Sequence, residues 1–256
     1  MFARGTSEWI IRVNQKHKQL IELGLSSEQK DNLNLWQETA FVYSTLKMEG
    51  SEITAQRVSD IVSDPAAATT AADNDARVLL FSLRKVSSLV SSKGGAAELT
   101  PELLLALQGV PNARFRSTDG DTLRAQKPVS PEHLPALIES ACAWYTAESF
   151  IELNPIEQAA IVLLRLIDLQ PFDRANERTA LVAASLFTMR NDLPPIIIRP
   201  EMAQTYRDAL DEAARMNTKP MVETIAEAVK AKRLDMPLWT GSLRKVAWVM
   251  APALLA

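Results

Sequence analysis

Residues 155–169 constrain the fold more than any other stretch of this sequence. Their apolar side chains recur at intervals of three and four residues, at Ile156, Ala159, Ala160, Leu163, Leu164 and Ile167. In an α-helix these positions fall on one broad face, and a face of this width is typical of a helix covered by other helices. The stretch therefore predicts the central helix of a bundle.

The rest of the chain is also predicted to be mainly helical, because glycine is scarce and Ala, Leu, Glu, Gln and Arg are plentiful. The predicted helices cover residues 7–23, 27–48, 54–62, a long stretch ending near 90, 131–148, 155–169, 176–190, 201–216 and 221–234. In contrast, "NARFRSTDGDTLRAQKP" alternates and carries a glycine between two aspartates. This pattern predicts a β-hairpin at about residues 111–128. The expected fold class is all-α, a helical bundle with one β-hairpin.

Composition excludes several classes of protein. The net charge of -3 argues against a general nucleic-acid binder, which would show a basic excess. The single cysteine, Cys142, rules out an internal disulfide and a cysteine-based zinc site, and it fits a reducing cytoplasm. The eleven uncharged residues after Lys245 are too few to span a bilayer, which needs about 20. We therefore expect a cytoplasmic protein with no nucleic-acid partner and no membrane span.

The most unusual stretch, "QPFDRANERTAL" at residues 170–181, follows the predicted central helix. The next helix is expected to begin near Asn176. Helix starts carry unpaired N–H groups and a positive dipole end, so they bind anions such as phosphate. The alternative is an ordinary turn whose charges face water. In either case Phe172, one residue after a proline, is predicted to point into the core.

This stretch resembles the signature loop of the Fic family, whose members transfer nucleotide monophosphate groups to protein hydroxyls. The family pattern is histidine, proline, phenylalanine, any residue, an acid, glycine, asparagine, glycine, arginine, two free residues and arginine. The residues that match it are Pro171, Phe172, Asn176 and Arg178. The residues that depart from it are Gln170, Arg174, Ala175, Glu177 and Leu181.

The resemblance extends over roughly residues 27–235. In "STLKMEG", Thr45, Glu49 and Gly50 fit the inhibitory motif of many family members, and the predicted hairpin lies where the family has a substrate-positioning flap. The chain is therefore divided into an N-terminal helix at 1–26, predicted from its apolar spacing, and a Fic-like domain at 27–235, which the resemblance implies. Within that domain the flap is at about 111–128 and the signature loop at 170–181. An apolar C-terminal tail follows at 236–256.

The departures remove separate parts of the family chemistry. The family histidine accepts a proton from the target hydroxyl, which the amide of Gln170 cannot do near neutral pH. The family acid holds magnesium, whereas Arg174 is a cation that could contact phosphate directly. At about 4 Å and an effective dielectric near 20, Glu177 would repel a phosphate by about 4 kcal/mol. An Arg174–Glu177 pair would reduce that repulsion.

Leu181 removes the arginine that contacts the γ-phosphate and pairs with the inhibitory glutamate in the family. Glu49 is then either paired with Arg178 or solvated at a helix end. The only histidines, His17 and His133, lie outside the loop, and nothing in the sequence places them near it.

We therefore predict a Fic-fold protein without protein adenylyltransferase activity that serves as a binding or regulatory module. Its expected partner is a protein, which could be a second copy of the chain, and no cofactor and no metal site are expected. Two alternatives remain at this point. One is a nucleotide or phosphate sensor. The other is an enzyme with altered, metal-independent chemistry, in which Arg174 replaces the metal and Gln170 orients a water or hydroxyl.

Overall fold

A computed structural model describes residues 26–119 and 129–230. The predicted helix at 7–23, the tail at 236–256 and the second half of the predicted hairpin lie outside these residues. The described part of the hairpin, residues 111–119, contains no strand. The hairpin therefore stays a prediction.

The described chain is mainly helical, as predicted. Its α-helices are α1 (Ser27–Met48), α2 (Ala55–Ser63), α3 (Ala71–Lys93), α4 (Pro101–Leu107), α5 (Leu134–Trp144), α6 (Glu148–Ile151), α7 (Pro155–Leu169), α8 (Asn176–Met189), α9 (Ala203–Ala214) and α10 (Lys219–Ala228). Short 3-10 turns lie at Pro65–Ala67, Gly94–Ala96, Pro131–His133 and Pro200–Met202.

Local side chains determine where several helices begin. Asn154 caps α7 by accepting from the N–H of Ile156 at 3.0 Å, and Glu157 accepts from the N–H of Asn154 at 3.2 Å. Ser26 and Gln29 form the same reciprocal arrangement at the start of α1. Such capping groups satisfy amides that the helix itself leaves unpaired.

The predicted central helix is confirmed, and α8 packs along it to form the middle of the bundle. The apolar face of α7 is buried, and α8 is buried on all sides from Thr179 to Thr188. Helices α3 and α4 cover α8, α10 covers α7, and α1 packs against α3. The signature loop is the connection between the two central helices, so the core fixes both of its ends.

The start of α3 is also held firmly. Asp73, which is 3% exposed, accepts from Arg57 Nε at 3.0 Å and from the N–H groups of Thr69 and Thr70 at 3.1 and 3.0 Å. The Arg57 guanidinium and these two amides hold the pKa of the Asp73 carboxyl far below its usual range. The anchored helix end lies two residues from Asp75, which contacts the signature loop.

The prediction of one helix over residues 131–148 is wrong. A 3-10 turn opens this region, α5 ends at Trp144, and α6 follows after a bend. The bend lets Tyr145 and Phe150 both enter the core, where their rings lie 5.7 and 5.6 Å from the ring of Phe187. Burial of two aromatic side chains thus outweighs continuation of the helix.

Helix α4 was not predicted, although Thr100 and Pro101 are residues typical of a helix start. At the other end of the chain, residues 200–202 form a 3-10 turn and α9 begins only at Ala203.

Candidate functional site

The signature loop leaves α7 and enters α8 through two residues with left-handed backbone. Gln170 has φ 45° and ends α7, and Ala175 has φ 61° and precedes α8. This conformation costs an L-residue about 1 kcal/mol and suits glycine, which is the family residue at the second position. The loop keeps this backbone shape although it has lost the glycine.

Asn176 and Phe172 hold the inside of the loop. The N–H of Phe172 donates to Asn176 Oδ1 at 2.8 Å, and Asn176 Nδ2 donates to the carbonyl of Phe172 at 2.7 Å. Phe172 is 3% exposed and its ring lies 6.0 Å from that of Phe115, so its predicted burial is confirmed. Two residues that match the family pattern therefore stabilise the structure of the loop.

Arg178 is held by two carboxylates from other helices. Its Nε donates to Glu49 Oε1 at 2.9 Å, and its Nη1 donates to Asp75 Oδ1 at 3.0 Å. Burial lowers the pKa of Arg178, but the two carboxylates more than offset it, so the pKa is raised. The pairing of Glu49 with Arg178, one of two alternatives from the sequence, is thus present.

The other inhibitory-motif residues lie close to Glu49. Thr45 is buried in α1 and its carbonyl accepts from the N–H of Glu49 at 3.3 Å. Gly50 follows with φ 84°, a conformation that lets the chain turn sharply after the helix. These residues place the Glu49 carboxylate at the end of α1, facing the start of α8.

Leu181 is 1% exposed and belongs to the core. An arginine at this position would bury its charge among apolar side chains or force α8 to move. The last position of the family pattern therefore contributes packing here and offers no cation to a ligand.

Arg174 and Glu177, two of the residues that depart from the family pattern, form the outer side of the loop, whereas Gln170 is buried at the end of α7. Gln170 is 6% exposed, Arg174 is exposed, and Glu177 is half-buried. Among residues 26–119 and 129–230 no ion pair between Arg174 and Glu177 is observed, and Glu177 is not without a partner. Ala175 has no side-chain oxygen with which to cap α8.

These residues do not fit a magnesium ion. The position of the family acid holds the guanidinium of Arg174, which repels a cation. The neighbouring Asp173 is exposed and accepts from Thr118 Oγ1 at 3.3 Å. In the part of the chain that the structure describes, no group of three or more His, Cys, Asp or Glu residues could hold a metal ion.

Two residues that support the loop were not predicted from the sequence. Arg116, 3% exposed, donates from Nε to the carbonyl of Gln170 at 2.7 Å, and its N–H donates to the carbonyl of Pro171 at 2.9 Å. Asp75 reaches Arg178 from α3. Both contacts join residues far apart in the chain, and no local pattern marks either of them.

From the sequence there was no reason to place either histidine near the loop. His133 is exposed, and its Nε2 lies 3.5 Å from Oε1 of Glu132, its neighbour in the chain. His17 lies outside the described residues. Across 26–119 and 129–230, no helix combines the length and the apolar character that a membrane span requires.

The resemblance to the Fic family is confirmed by comparison with known proteins. Residues 98–188 match the model of the Fic/DOC family. Protein adenylyltransferase fic-1 of Caenorhabditis elegans is 34% identical over 104 residues, which are 41% of this chain and 20% of that protein. Protein adenylyltransferase Fic of Drosophila ananassae is 24% identical over 208 residues, which are 78% of this chain and 42% of that protein. The chain thus spans less than half the length of either relative.

Solved structures share the fold. A segment of Fic-1 from Caenorhabditis elegans superposes with a TM-score of 0.76 at 22% identity, covering 95% of this chain and 71% of that one. A Fic domain containing signaling protein from Bacteroides thetaiotaomicron superposes with a TM-score of 0.73 at 19% identity, and the match covers 94% of this chain and 97% of that one.

Proposed function

Since this chain has the Fic fold and is related to protein adenylyltransferases, we propose that it has lost adenylyl transfer and acts as a binding or regulatory module for a protein partner. The observation that carries the proposal is Gln170 at the position of the catalytic base. An amide cannot take a proton from a hydroxyl near neutral pH, and such a base contributes about 10²–10⁴-fold to rate. The replacement of the metal-binding acid by Arg174 supports the same conclusion.

The contacts of Arg178 also indicate that a nucleotide would bind weakly. This arginine matches the family pattern, but Glu49 and Asp75 already occupy its guanidinium. A phosphate would have to displace two carboxylates or lie close to them. At about 4 Å and an effective dielectric near 20, each like-charge contact costs about 4 kcal/mol. The arginine therefore ties helices together more readily than it holds an anion.

A phosphate or nucleotide sensor is the second candidate. Its supporting observations are the exposed cation of Arg174 and a start of α8 that lacks a side-chain cap. Helix starts of this kind attract anions. Glu177, in the first turn, opposes an anion there.

Incubation with labelled ATP and magnesium, with cell lysate as a source of targets, tests the loss of transfer. The expected result is no labelled product. Reproducible labelling that disappears in a Gln170→Ala variant would refute the proposal.

The binding role is tested by charge reversal on the outer side of the loop. Arg174→Glu should abolish capture of a protein partner, because it reverses the exposed charge of the loop. Arg207→Glu changes an exposed arginine on α9 and is the matched control. Equal capture by the parent and both variants would show that the loop is not the binding surface.

A further inference from the structure

Arg116 is a buried cation whose hydrogen-bond acceptors are backbone carbonyls. Its guanidinium donates to Gln170 at 2.7 Å, to Leu169 at 3.4 Å, to Thr118 at 2.7 Å and to Val129 at 2.5 Å. Within the described residues it forms no ion pair with a carboxylate. A buried charge without a counter-ion is costly, so the carbonyl dipoles must stabilise it.

The end of α7 supplies that stabilisation. The last carbonyls of a helix lack intrahelical partners and carry the negative end of the helix dipole. Gln170 ends α7 with a left-handed backbone, and the guanidinium contacts the carbonyls of Leu169 and Gln170. An arginine suits this position because its planar fork presents five donors in fixed directions, whereas a lysine presents three from one point.

The same side chain holds three separate parts of the chain. Leu169 is the last residue of α7 and Gln170 the first of the signature loop, and Thr118 and Val129 lie on either side of residues 120–128. Residues close to Arg116 in the chain also contact the signature loop. Phe115 contacts Phe172, and Thr118 contacts Asp173.

We infer that Arg116 is a positioning residue that joins residues 112–119 and 129–130 to the signature loop as one unit, whose parts open together. Its role is to hold the first residues of the loop in place, and it does not depend on whether the loop binds a nucleotide. A partner that orders one of these segments therefore stabilises the others.

Hydrogen exchange of Arg116→Met and Arg116→Lys tests this role. Amides of residues 112–119 and 170–176 should exchange about tenfold faster or more in both variants, because charge-assisted hydrogen bonds are lost and one ammonium cannot replace them. Amides of α9 and α10 should exchange as in the parent. Arg190→Met is the control, since Arg190 is half-buried and also donates to a backbone carbonyl, that of Ala97, away from the loop.

Three results would overturn the inference. They are parent-like exchange in Arg116→Lys, acceleration in only one of the two segments, and equal acceleration throughout the chain.

A measurement on the parent protein decides the matter if the variants do not fold. Native-state exchange in increasing denaturant should give the same opening free energy for the amides of Arg116 and Phe172. These amides donate to Pro171 and Asn176, respectively. Clearly different opening free energies would show that the segments open separately.

Discussion

The inner and outer sides of the signature loop differ in how far they keep the family pattern. On the inner side, Phe172 and Asn176 match the pattern, and both make contacts that hold the loop. On the outer side, Arg174 and Glu177 depart from it, and so does Gln170, which is buried at the end of α7. The loop thus keeps residues of the family pattern that hold its structure and departs from the pattern at residues to which the resemblance assigns the chemistry.

This difference indicates which residues the loop needs for its structure. Loss of an inner contact destabilises the protein, so such residues are required whether or not the loop has an activity. Loss of an exposed outer side chain such as Arg174 should have little effect on stability. Arg178 belongs to both groups, because Glu49 and Asp75 give it a structural role.

The largest effect is expected from Phe172→Ala on the inner side. Truncation of a buried Phe typically lowers the free energy of unfolding by about 3–5 kcal/mol. Urea unfolding measures the loss, and Phe81→Ala is the control, since Phe81 is 50% exposed. Equal, small losses in both variants would contradict the inner placement of Phe172.

Asn176→Ala should cost about 2 kcal/mol, because the N–H and the carbonyl of Phe172 both lose their partner. Asn191→Ala removes one bond to the carbonyl of Phe187 on the surface and should cost less. The urea concentrations at the midpoints of unfolding show which variant loses more stability. A larger loss of stability in Asn191→Ala than in Asn176→Ala would contradict the expected order.

Glu177→Gly acts on the outer side, where the expected change is in binding. The substitution removes a carboxylate and its volume from the first turn of α8. Removal of a repulsion of a few kcal/mol should tighten ATP binding at least about tenfold. Ala175→Gly, Glu177→Gly should bind more tightly still.

Calorimetry on folded protein is the appropriate measurement, because glycine costs a helix up to about 1 kcal/mol. Binding no tighter than in the parent would mean that Glu177 is not what limits anion binding at the start of α8.

Glu49→Gln should lower the free energy of unfolding by about 1 kcal/mol, since it weakens a partly buried ion pair with Arg178. Asp75→Asn should cost less, because the Asp75 side chain is 56% exposed. A larger loss for Asp75→Asn would show that α3, and not α1, provides the main tie to the loop.

The smallest effect is expected from Ala175→Gly alone. It relieves left-handed strain at φ 61° but also increases the freedom of the unfolded chain. The free energy of unfolding should therefore rise by no more than about 1 kcal/mol. A clear loss of stability would indicate that the Ala175 methyl group makes a favourable contact.

The sequence predicted the elements whose causes are local. The central helix followed from its apolar periodicity, and the loop was recognised from the order of its residues; side chains next to the starts of α1 and α7 cap them, which is also a local cause. The bend after Trp144 was missed because it depends on packing against Phe187, which is distant in the sequence. Arg116 and Asp75 were missed for the same reason, since their partners lie 54 and 103 residues away.

The affinity of the parent protein for ATP, measured by calorimetry with and without magnesium, tests most directly whether the outer side has lost its chemistry. With Arg174 in place of the metal-binding acid, magnesium should leave the affinity unchanged or weaken it, because the ion reduces the charge that Arg174 could contact. Affinity that rises about tenfold or more on addition of magnesium would show a working metal–nucleotide site and would contradict this account.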